Sequence, residues 1–227
     1  MILPRSRPDL ASLSSLDDPV RGRLYEFVSG RPAPVGRDEA AAAVEIGRAL
    51  AVYHLDKLVE AGLLTASYQR PPGRSGPGAG RPAKVYTRSG RQFTLSLPPR
   101  EYELAARLLT QAVESDRSGR SRAAVREAAR RLGAELGTNR RRGAGARDAV
   151  EGVLREHGFE PWHDEDGVVR LRNCPFRSLA EQHPETVCGM NLALIEGFLV
   201  GLDGSGLRPA LDPQPGQCCV TIGAGKP

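Results

Sequence analysis

The fold is decided by the stretch RDEAAAAVEIGRALAVYHLDKLVEAGLL, residues 37–64. Leucines in its second half recur close to the 3.6-residue period of an α-helix, so they share one side of that helix. The side predicted to be buried consists of Leu50, Leu55, Leu58 and Val59. The opposite side carries polar or cationic groups, Arg48, Tyr53, His54 and Lys57. The stretch therefore predicts an amphipathic helix with one exposed, partly cationic face.

A tight corner between two helices is predicted just before this helix. Residues 38–44 are expected to form a shorter helix, and Gly47 allows the backbone conformations that a helix-turn-helix corner requires. Gly62 is expected to end the second helix with a positive φ. The same pattern would suit an ordinary helical hairpin, because most helix–glycine–helix corners never contact DNA. The residues that follow discriminate between these two interpretations.

Those residues predict a β-hairpin with a strongly basic loop. Strands are expected at 63–68 and 83–87, on either side of a loop rich in glycine, proline and arginine. Between Arg70 and Arg91 no acidic residue interrupts the basic ones. Cationic side chains in such a loop suit the phosphates of a nucleic acid. A helix-turn-helix followed by this hairpin indicates a winged helix-turn-helix that binds double-stranded DNA.

The candidate DNA contacts come from both parts of this predicted domain. Side chains on the second helix can reach base edges in the major groove, whereas arginines of the hairpin loop most readily reach phosphates. The full set is Arg37, Arg48, Tyr53, His54, Lys57, Arg70, Arg74, Arg81 and Lys84.

Composition sets the outer limits of function. The chain has 227 residues, 40% of them hydrophobic, which is enough for two modest domains. A net charge of +5 and a pI near 9.3 fit a polyanionic partner, and would equally fit an anionic membrane surface. The N-terminus lacks the apolar segment of a signal peptide, and the apolar run 190–202 is too short to span a bilayer. We therefore expect a cytoplasmic protein without a membrane partner, whose four cysteines are thiols or metal ligands.

The predicted fold class is α+β, in four successive parts. A flexible tail at 1–16 precedes the winged helix-turn-helix domain at 17–97, whose first helix is capped by Asp18 before Pro19. Linking or dimerisation helices follow at 98–145, and a cysteine-containing sensor domain follows at 146–227. This last domain is expected to be a small α/β sandwich with antiparallel strands.

The linking helices are the candidates for a homodimer interface. A helix at 100–114 has an apolar face formed by Tyr102, Ala105, Leu108, Leu109 and Ala112. Winged-helix regulators usually bind a two-fold operator as dimers, although this face could instead pack on its own domain. A second helix at 121–137 is expected to turn Val125, Ala129, Leu132 and Leu136 inward, and a loop at 138–145 is expected to end the segment.

The sensor domain is expected to alternate helices and hairpins. A helix at 146–157 ends at Gly158, and strands at 159–163 and 168–172 flank an Asp-Gly turn. The remaining elements are a helix at 184–202 and strands at 207–211 and 218–222.

Four cysteines with the spacing C-x13-C-x29-CC lie in this domain, Cys174, Cys188, Cys218 and Cys219. The spacing is not that of a CxxC zinc knuckle, and buried cysteines acting as small hydrophobes would also explain it. A site is favoured because Cys174 follows a strand and Cys188 lies near a helix start. At both positions backbone N–H groups can stabilise an outward-pointing thiolate. Adjacent residues of a strand face opposite ways, so only one of Cys218 and Cys219 is expected to contribute.

The chain resembles a family of metal-sensing regulators over nearly its whole length. YHLDKLVEAGLL and GRPAKVY resemble the ArsR-like winged helix-turn-helix, and NCPF, VCGMN and PGQCCVTI resemble the sensor domain of SufR-type iron–sulfur transcriptional regulators. The resemblance implies an iron–sulfur cluster, [4Fe-4S] or [2Fe-2S], held by Cys174, Cys188 and one of Cys218 or Cys219. Leu202 stands where a further cysteine might fall, so His183 is the nearest candidate for the fourth ligand.

Three functions follow from these residues. The first is a repressor whose operator affinity is controlled by an iron–sulfur cluster, regulating genes for cluster assembly or oxidative stress. The second is a zinc- or thiol-redox-responsive regulator that uses the same cysteines. The third, a cysteine-nucleophile enzyme, ranks last because the chain has neither an HExxH helix nor a phosphate-binding GxxxxGK[ST] loop.

Overall fold

The α+β fold is built from two antiparallel sheets and the helices around them. The computed structural model describes residues 7–69, 82–93, 100–140, 146–203 and 206–224. The chain divides into two compact units, Met1–Arg100 and Glu101–Pro227. The boundary therefore lies at residue 100 rather than at 145, because the helices predicted as a separate linking segment pack within the second unit.

The first unit contains four helices and a three-stranded sheet among its described residues. In chain order these are α1 (Arg7–Ser14), a 3₁₀ turn (Ser15–Asp17), α2 (Pro19–Ser29), β1 (Val35–Gly36), α3 (Arg37–Ala43), α4 (Arg48–Glu60), β2 (Leu64–Gln69) and β3 (Ala83–Arg88). A loose tail was predicted up to residue 16, but α1 and the 3₁₀ turn occupy residues 7–17, and residues 1–6 lie outside the described residues. Short polar residues favour turns over helices, so this sequence gave little helical signal.

Helix α2 begins as predicted. Asp18 precedes the helix, and its Oδ1 accepts hydrogen bonds from the backbone N–H groups of Val20 at 2.9 Å and Arg21 at 3.1 Å. These bonds satisfy two of the donors that a helix start leaves unpaired. Leu24 and Val28 of α2 are buried in the core of the unit.

The predicted corner between α3 and α4 is present, but the residue with the unusual backbone conformation is not the predicted glycine. Gly47 has φ −65° and precedes α4 as an ordinary extended residue. The left-handed residue is Glu45, with φ 56°, a conformation that is uncommon outside glycine. Gly62 ends the helix with φ 71°, as predicted.

The sheet of the first unit has the order β1-β3-β2, antiparallel throughout. Strands β2 and β3 pair from Leu64 with Arg88 to Gln69 with Ala83, which confirms the two predicted strands to within a residue or two. The loop between them, with Arg70, Arg74 and Arg81, lies outside the described residues. The same holds for the extended segment expected at 94–97.

The second unit contains the remaining elements. They are α5 (Tyr102–Ser115), α6 (Arg120–Arg140), α7 (Ala146–Glu156), β4 (Pro161–His163), β5 (Val169–Leu171), α8 (Arg177–Ala180), α9 (Pro184–Gly201), β6 (Leu207–Leu211) and β7 (Val220–Ala224). The sheet order is β4-β5-β7-β6, again antiparallel, and Gly167 with φ 73° completes the predicted β4–β5 turn. The short helix α8 was not predicted. No helix among the described residues is both long enough and apolar enough to cross a membrane.

Helices α6 and α9 touch along their backbones. A Cβ at Gly133 would lie 2.1 Å from the carbonyl oxygen of Leu194, and one at Gly197 would lie 2.1 Å from that of Arg130. Gly137 and Gly201 extend the contact by one turn in each helix. Leu132, predicted to face inward, is exposed, because the glycines and Ala129 occupy the side of α6 that meets α9.

We predict that Gly133→Ala and Gly197→Ala each destabilise the protein by about 2 kcal/mol or more. The added methyl must push two helix backbones apart, and overpacking of this kind is costly. Gly152→Ala in α7 is the matched control, because nothing lies within 4 Å of its new Cβ. That variant should gain up to about 1 kcal/mol from helix propensity. Urea unfolding of the three variants measures both effects, and equal changes at all three positions would contradict the assigned contact.

Candidate functional site

The exposed and buried sides of α4 are rotated by one residue from the prediction. Ala51, Leu55 and Leu58 are fully buried and recur at i, i+4 and i+7. Leu50, predicted to be in the core, is 46% exposed, whereas His54, predicted to contact DNA, is only 7% exposed. The placement of Leu50 in the core and of His54 on the exposed side is wrong for one reason: a small residue, Ala51, rather than Leu50 begins the buried stripe.

His54 is therefore a residue of the unit's interior. Its ring packs edge-on against Tyr53, with centroids 5.1 Å apart, and its Nδ1 has no hydrogen-bond partner among the described residues. A side chain in that position cannot reach a base edge unless α4 moves.

The exposed side of α4 carries two cations and two large apolar groups. Arg48 Nε lies 2.9 Å from Asp38 Oδ1, and Lys57 Nζ lies 2.6 Å from Glu60 Oε2. Ion pairs of such exposed groups contribute little to stability, so phosphates can replace these carboxylates at low cost. Leu50 and Tyr53 lie between the two cations in sequence and are also exposed.

Lys84 is held by the protein rather than projecting freely from the hairpin. Its Nζ lies 2.6 Å from Asp56 Oδ1 on α4, and the Tyr86 hydroxyl donates to the same oxygen at 2.9 Å. Both donors belong to β3, so Asp56 fixes that strand to α4. Asp56 was not recognised from the sequence, although its position among the polar residues of α4 was a signal. Arg37, a further candidate contact, is the first residue of α3 and is half-buried.

The protonation of these groups follows from their contacts. Burial alone would raise the pKa of Asp56, but the hydrogen bonds from Lys84 and Tyr86 outweigh it and hold that pKa below its ordinary value. Burial and the neighbouring Asp56 carboxylate raise the pKa of Tyr86. At neutral pH Asp56, which anchors β3 to α4, is therefore a carboxylate that accepts hydrogen bonds from a phenol and an ammonium group.

The charge of the chain is divided unequally between the two units. Residues 1–100 contain 15 Lys and Arg against 9 Asp and Glu, whereas residues 101–227 contain 17 against 18. All of the net positive charge thus belongs to the unit that contains α4 and the hairpin.

The second unit brings its four cysteines to one cavity. Cys174, Cys188, Cys218 and Cys219 all line a cavity of about 230 Å³, together with residues of α8 and of the segment before β7. Cys218 and Cys219 lie before β7, which begins at Val220, and not within it. Strand alternation therefore does not separate the two side chains, and both residues line the cavity.

The four thiols are close enough to affect one another's protonation. The neighbouring Cys174 and Cys219 thiols lower the pKa of Cys218. The nearby Cys218 thiol and burial raise the pKa of Cys174 and of Cys219. Cys174, expected as an outward-pointing thiolate, is instead buried.

A buried asparagine supports the same sulfur. Asn191 Nδ2 donates to Cys218 Sγ at 3.3 Å, and the residue is only 1% exposed. Sequence reasoning missed Asn191, although an amide inside the apolar helix segment MNLALIEGFL was a signal for a buried polar contact. Arg177 of α8, which also lines the cavity, donates from Nη2 to the Gly216 carbonyl at 2.6 Å and so ties α8 to the segment before β7.

His183 does not line this cavity. It lies directly before α9, where its Nδ1 is 2.7 Å from Glu114 Oε2 of α5, and Thr186 Oγ1 donates to the other oxygen of that carboxylate at 3.0 Å. His183 is therefore not placed to complete the cysteine set, whereas Cys219 is. Its contacts instead join the start of α9 to the end of α5.

The donor set suits a thiolate-bound group of several atoms better than a single ion. Four thiols around one cavity are the ligands that iron–sulfur clusters and soft metals prefer, and the cavity has room for several water-sized atoms. Yet no three His, Cys, Asp or Glu side chains among the described residues are grouped so that they could hold one metal ion. The residue types fit a cluster held by thiolates.

Comparison with known proteins gives no further guide. No family model, curated protein or solved structure matches the chain.

We predict that Asp56→Asn destabilises the first unit by about 1–2 kcal/mol at neutral pH, because the half-exposed amide has no charge to pair with Lys84 and its oxygen accepts weaker hydrogen bonds than a carboxylate. Since the pKa of Asp56 is lowered by folding, its contribution is present above the ordinary carboxyl pKa and is lost as the pH falls below it. The difference between the wild type and the variant should therefore shrink below about pH 4.

Asp38→Asn, which removes only the exposed ion pair with Arg48, is the control and should change stability by less than about 0.5 kcal/mol. Thermal unfolding between pH 3 and pH 7 measures both variants. A loss for Asp56→Asn that is no larger than that for Asp38→Asn would show that Asp56 is not the anchor of the hairpin.

Proposed function

We propose that the chain is a DNA-binding transcriptional regulator, a repressor, whose operator affinity is controlled by an iron–sulfur cluster held by its cysteines. The main observation behind the proposal is that the thiols and the positive charge belong to different units. Four thiols line one cavity in a unit without excess positive charge, while the positive charge and the exposed face of α4 belong to the other.

The order of elements in the first unit supports the part of the proposal that concerns DNA binding. Two helices joined by a short corner, α3 and α4, are followed directly by the antiparallel hairpin of β2 and β3. In a winged helix-turn-helix the second of these helices lies in the major groove. Helix α4 would then present Arg48, Leu50, Tyr53 and Lys57 to the DNA, and the basic loop after β2 would lie beside phosphates.

We predict that Arg48→Ala lowers affinity for the operator about 5- to 150-fold, the range expected for one lost bidentate base contact, with a much smaller effect on random DNA. The operator is obtained by repeated selection from a randomised duplex pool. Arg23→Ala, an exposed arginine of α2, is the control and should change both affinities alike. His54→Ala should lower stability instead, because His54 is buried. Equal losses on operator and random DNA for Arg48→Ala would contradict base reading by α4.

The cavity lined by the four cysteines supports the part of the proposal that concerns sensing. A bound iron–sulfur cluster supplies a group that oxidants can alter or remove. The chain would contribute the four cysteines, and Asn191 Nδ2 donates to Cys218 Sγ, which stabilises the thiolate form that a ligand requires. Cys188 lies on α9, whereas the other three cysteines lie before α8 and before β7, so a bound cluster would join α9 to those two segments. Helix α9 is in turn joined to α5 through the contacts of Glu114 with His183 and Thr186.

We predict that protein purified without oxygen, or reconstituted with iron and sulfide, shows visible absorption and contains both elements. Serine substitution of any one of Cys174, Cys188, Cys218 or Cys219 should lower the bound iron severalfold. His183→Gln should retain the full iron content, because His183 lies outside the cavity. Colour retained in both Cys174→Ser and Cys188→Ser would refute the ligand assignment.

A zinc- or thiol-redox-responsive regulator is the second candidate. It is favoured by the position of all four thiols around one cavity, since neighbouring thiols can be oxidised to a disulfide or can bind zinc. The same purification distinguishes the candidates: a colourless protein with stoichiometric zinc supports zinc binding. A protein with neither metal supports a purely thiol-based switch.

We further propose that the regulator is a homodimer that uses α5. The helix turns its apolar face away from its own unit: Tyr102, Leu108 and Leu109 are exposed, as are Ala105 and Ala112, while Thr110 is buried. Its contacts with its own unit include the polar ones from Glu114. An apolar patch of this kind on a helix usually marks a protein interface.

We predict a mass of twice 24.4 kDa for the wild type in solution and a shift toward 24.4 kDa for Leu108→Glu/Leu109→Glu. A charge at the centre of an apolar interface is left unpaired and desolvated, which dissociates the dimer. Gln111→Glu adds a charge at another exposed position of α5 and should remain dimeric. Light scattering coupled to size exclusion gives the masses, and a monomeric wild type would contradict the proposal.

A further inference from the structure

The outward side of α4 is apolar at its centre. Leu50, Tyr53 and Lys57 recur at i, i+3 and i+7, so they form a single stripe along the helix. Leu50 is 46% exposed and Tyr53 is 55% exposed, and neither belongs to the hydrophobic core of the first unit. A leucine at this position of a proposed DNA-reading helix forms no hydrogen bonds, so it cannot read the donors and acceptors of a base edge.

The charges around this stripe specify its partner. Lys57 ends the stripe, Arg48 lies at the first residue of the same helix, and the unit as a whole has six more basic than acidic residues. An apolar centre with cationic ends suits a surface that has apolar groups between two rows of negative charge. The major groove of DNA has this arrangement, with phosphates along both edges and the thymine C5 methyl group on its floor.

We propose that the Leu50–Tyr53 stripe recognises thymine methyl groups in the operator, and that Leu50 is a specificity-determining residue. The proposal rests on the proposed DNA-binding function of α4. Thymine is the only base of the four that presents a methyl group in the major groove, so an apolar contact there selects A·T or T·A pairs in one orientation. Recognition then depends on burying a methyl group against Leu50 rather than on a hydrogen bond.

The test uses DNA in which only that methyl group changes. Duplexes are selected from a randomised pool by the full-length protein, and each thymine of the selected operator is then replaced in turn by deoxyuridine, which lacks the C5 methyl. For the wild type we expect at least one position per half-site at which the replacement lowers affinity about fourfold, the effect of removing one buried methyl-sized group from a contact. For Leu50→Ala the thymine and uracil duplexes should bind with equal affinity at that position.

Leu10→Ala is the matched control, because Leu10 of α1 is exposed to a similar extent (52%) but lies off α4. It should keep the full preference for thymine. A wild type that binds every uracil duplex as tightly as the thymine duplex contradicts methyl recognition while leaving DNA binding intact, and so does a Leu50→Ala protein that keeps the preference. Failure to enrich any duplex over the starting pool contradicts the DNA-binding function itself, and with it this inference.

Discussion

The second unit depends on the backbone contact between α6 and α9. Gly133 and Gly197 allow the two helices to approach until a Cβ at either position would lie 2.1 Å from a carbonyl oxygen of the other helix. This contact fixes α9, which carries Cys188 toward the other three cysteines and Asn191 toward Cys218 Sγ. The start of the same helix holds α5 through Glu114. One pair of glycines thus positions both the thiol cavity and the helix proposed as the dimer interface.

Sequence patterns predicted where helices and strands lie better than they predicted which side of a helix is buried. The Asp18 cap, the stop at Gly62 and the two hairpins follow from local chemistry, which a single sequence displays. The reversed roles of Leu50 and His54 could not be predicted, since apolar periodicity alone does not show that Ala51 begins the buried stripe. Cys219 lies near the other thiols because β7 begins only at Val220. The start of β7 depends on its pairing with strands distant in sequence, which local patterns do not show. The α6–α9 contact had a signal in GAELG and GFLVG, two pairs of glycines one turn apart.

The proposed regulator separates reading from sensing, and the charges and thiols of the chain follow the same separation. Positive charge is concentrated in the unit with α4, where surface ion pairs such as Arg48–Asp38 can be exchanged for phosphates. Thiols are concentrated in the other unit, where all four line one cavity. Glu114 bonds both His183 and Thr186, so it joins the start of α9 to the end of α5, the helix proposed as the dimer interface.

The most direct test of coupling between the cysteine site and DNA compares two forms of the protein, one with the bound cluster (loaded) and one from which it has been removed (stripped). The affinity of each form for operator DNA is measured at one fixed salt concentration. We expect the two dissociation constants to differ by about 5- to 150-fold, the usual range of coupling between two sites. The Cys174→Ser/Cys188→Ser protein, treated in the same two ways, should show no difference. Equal operator affinity for the loaded and stripped wild-type protein, with cluster content verified by absorption, would contradict sensing by this site even if both forms bind DNA tightly.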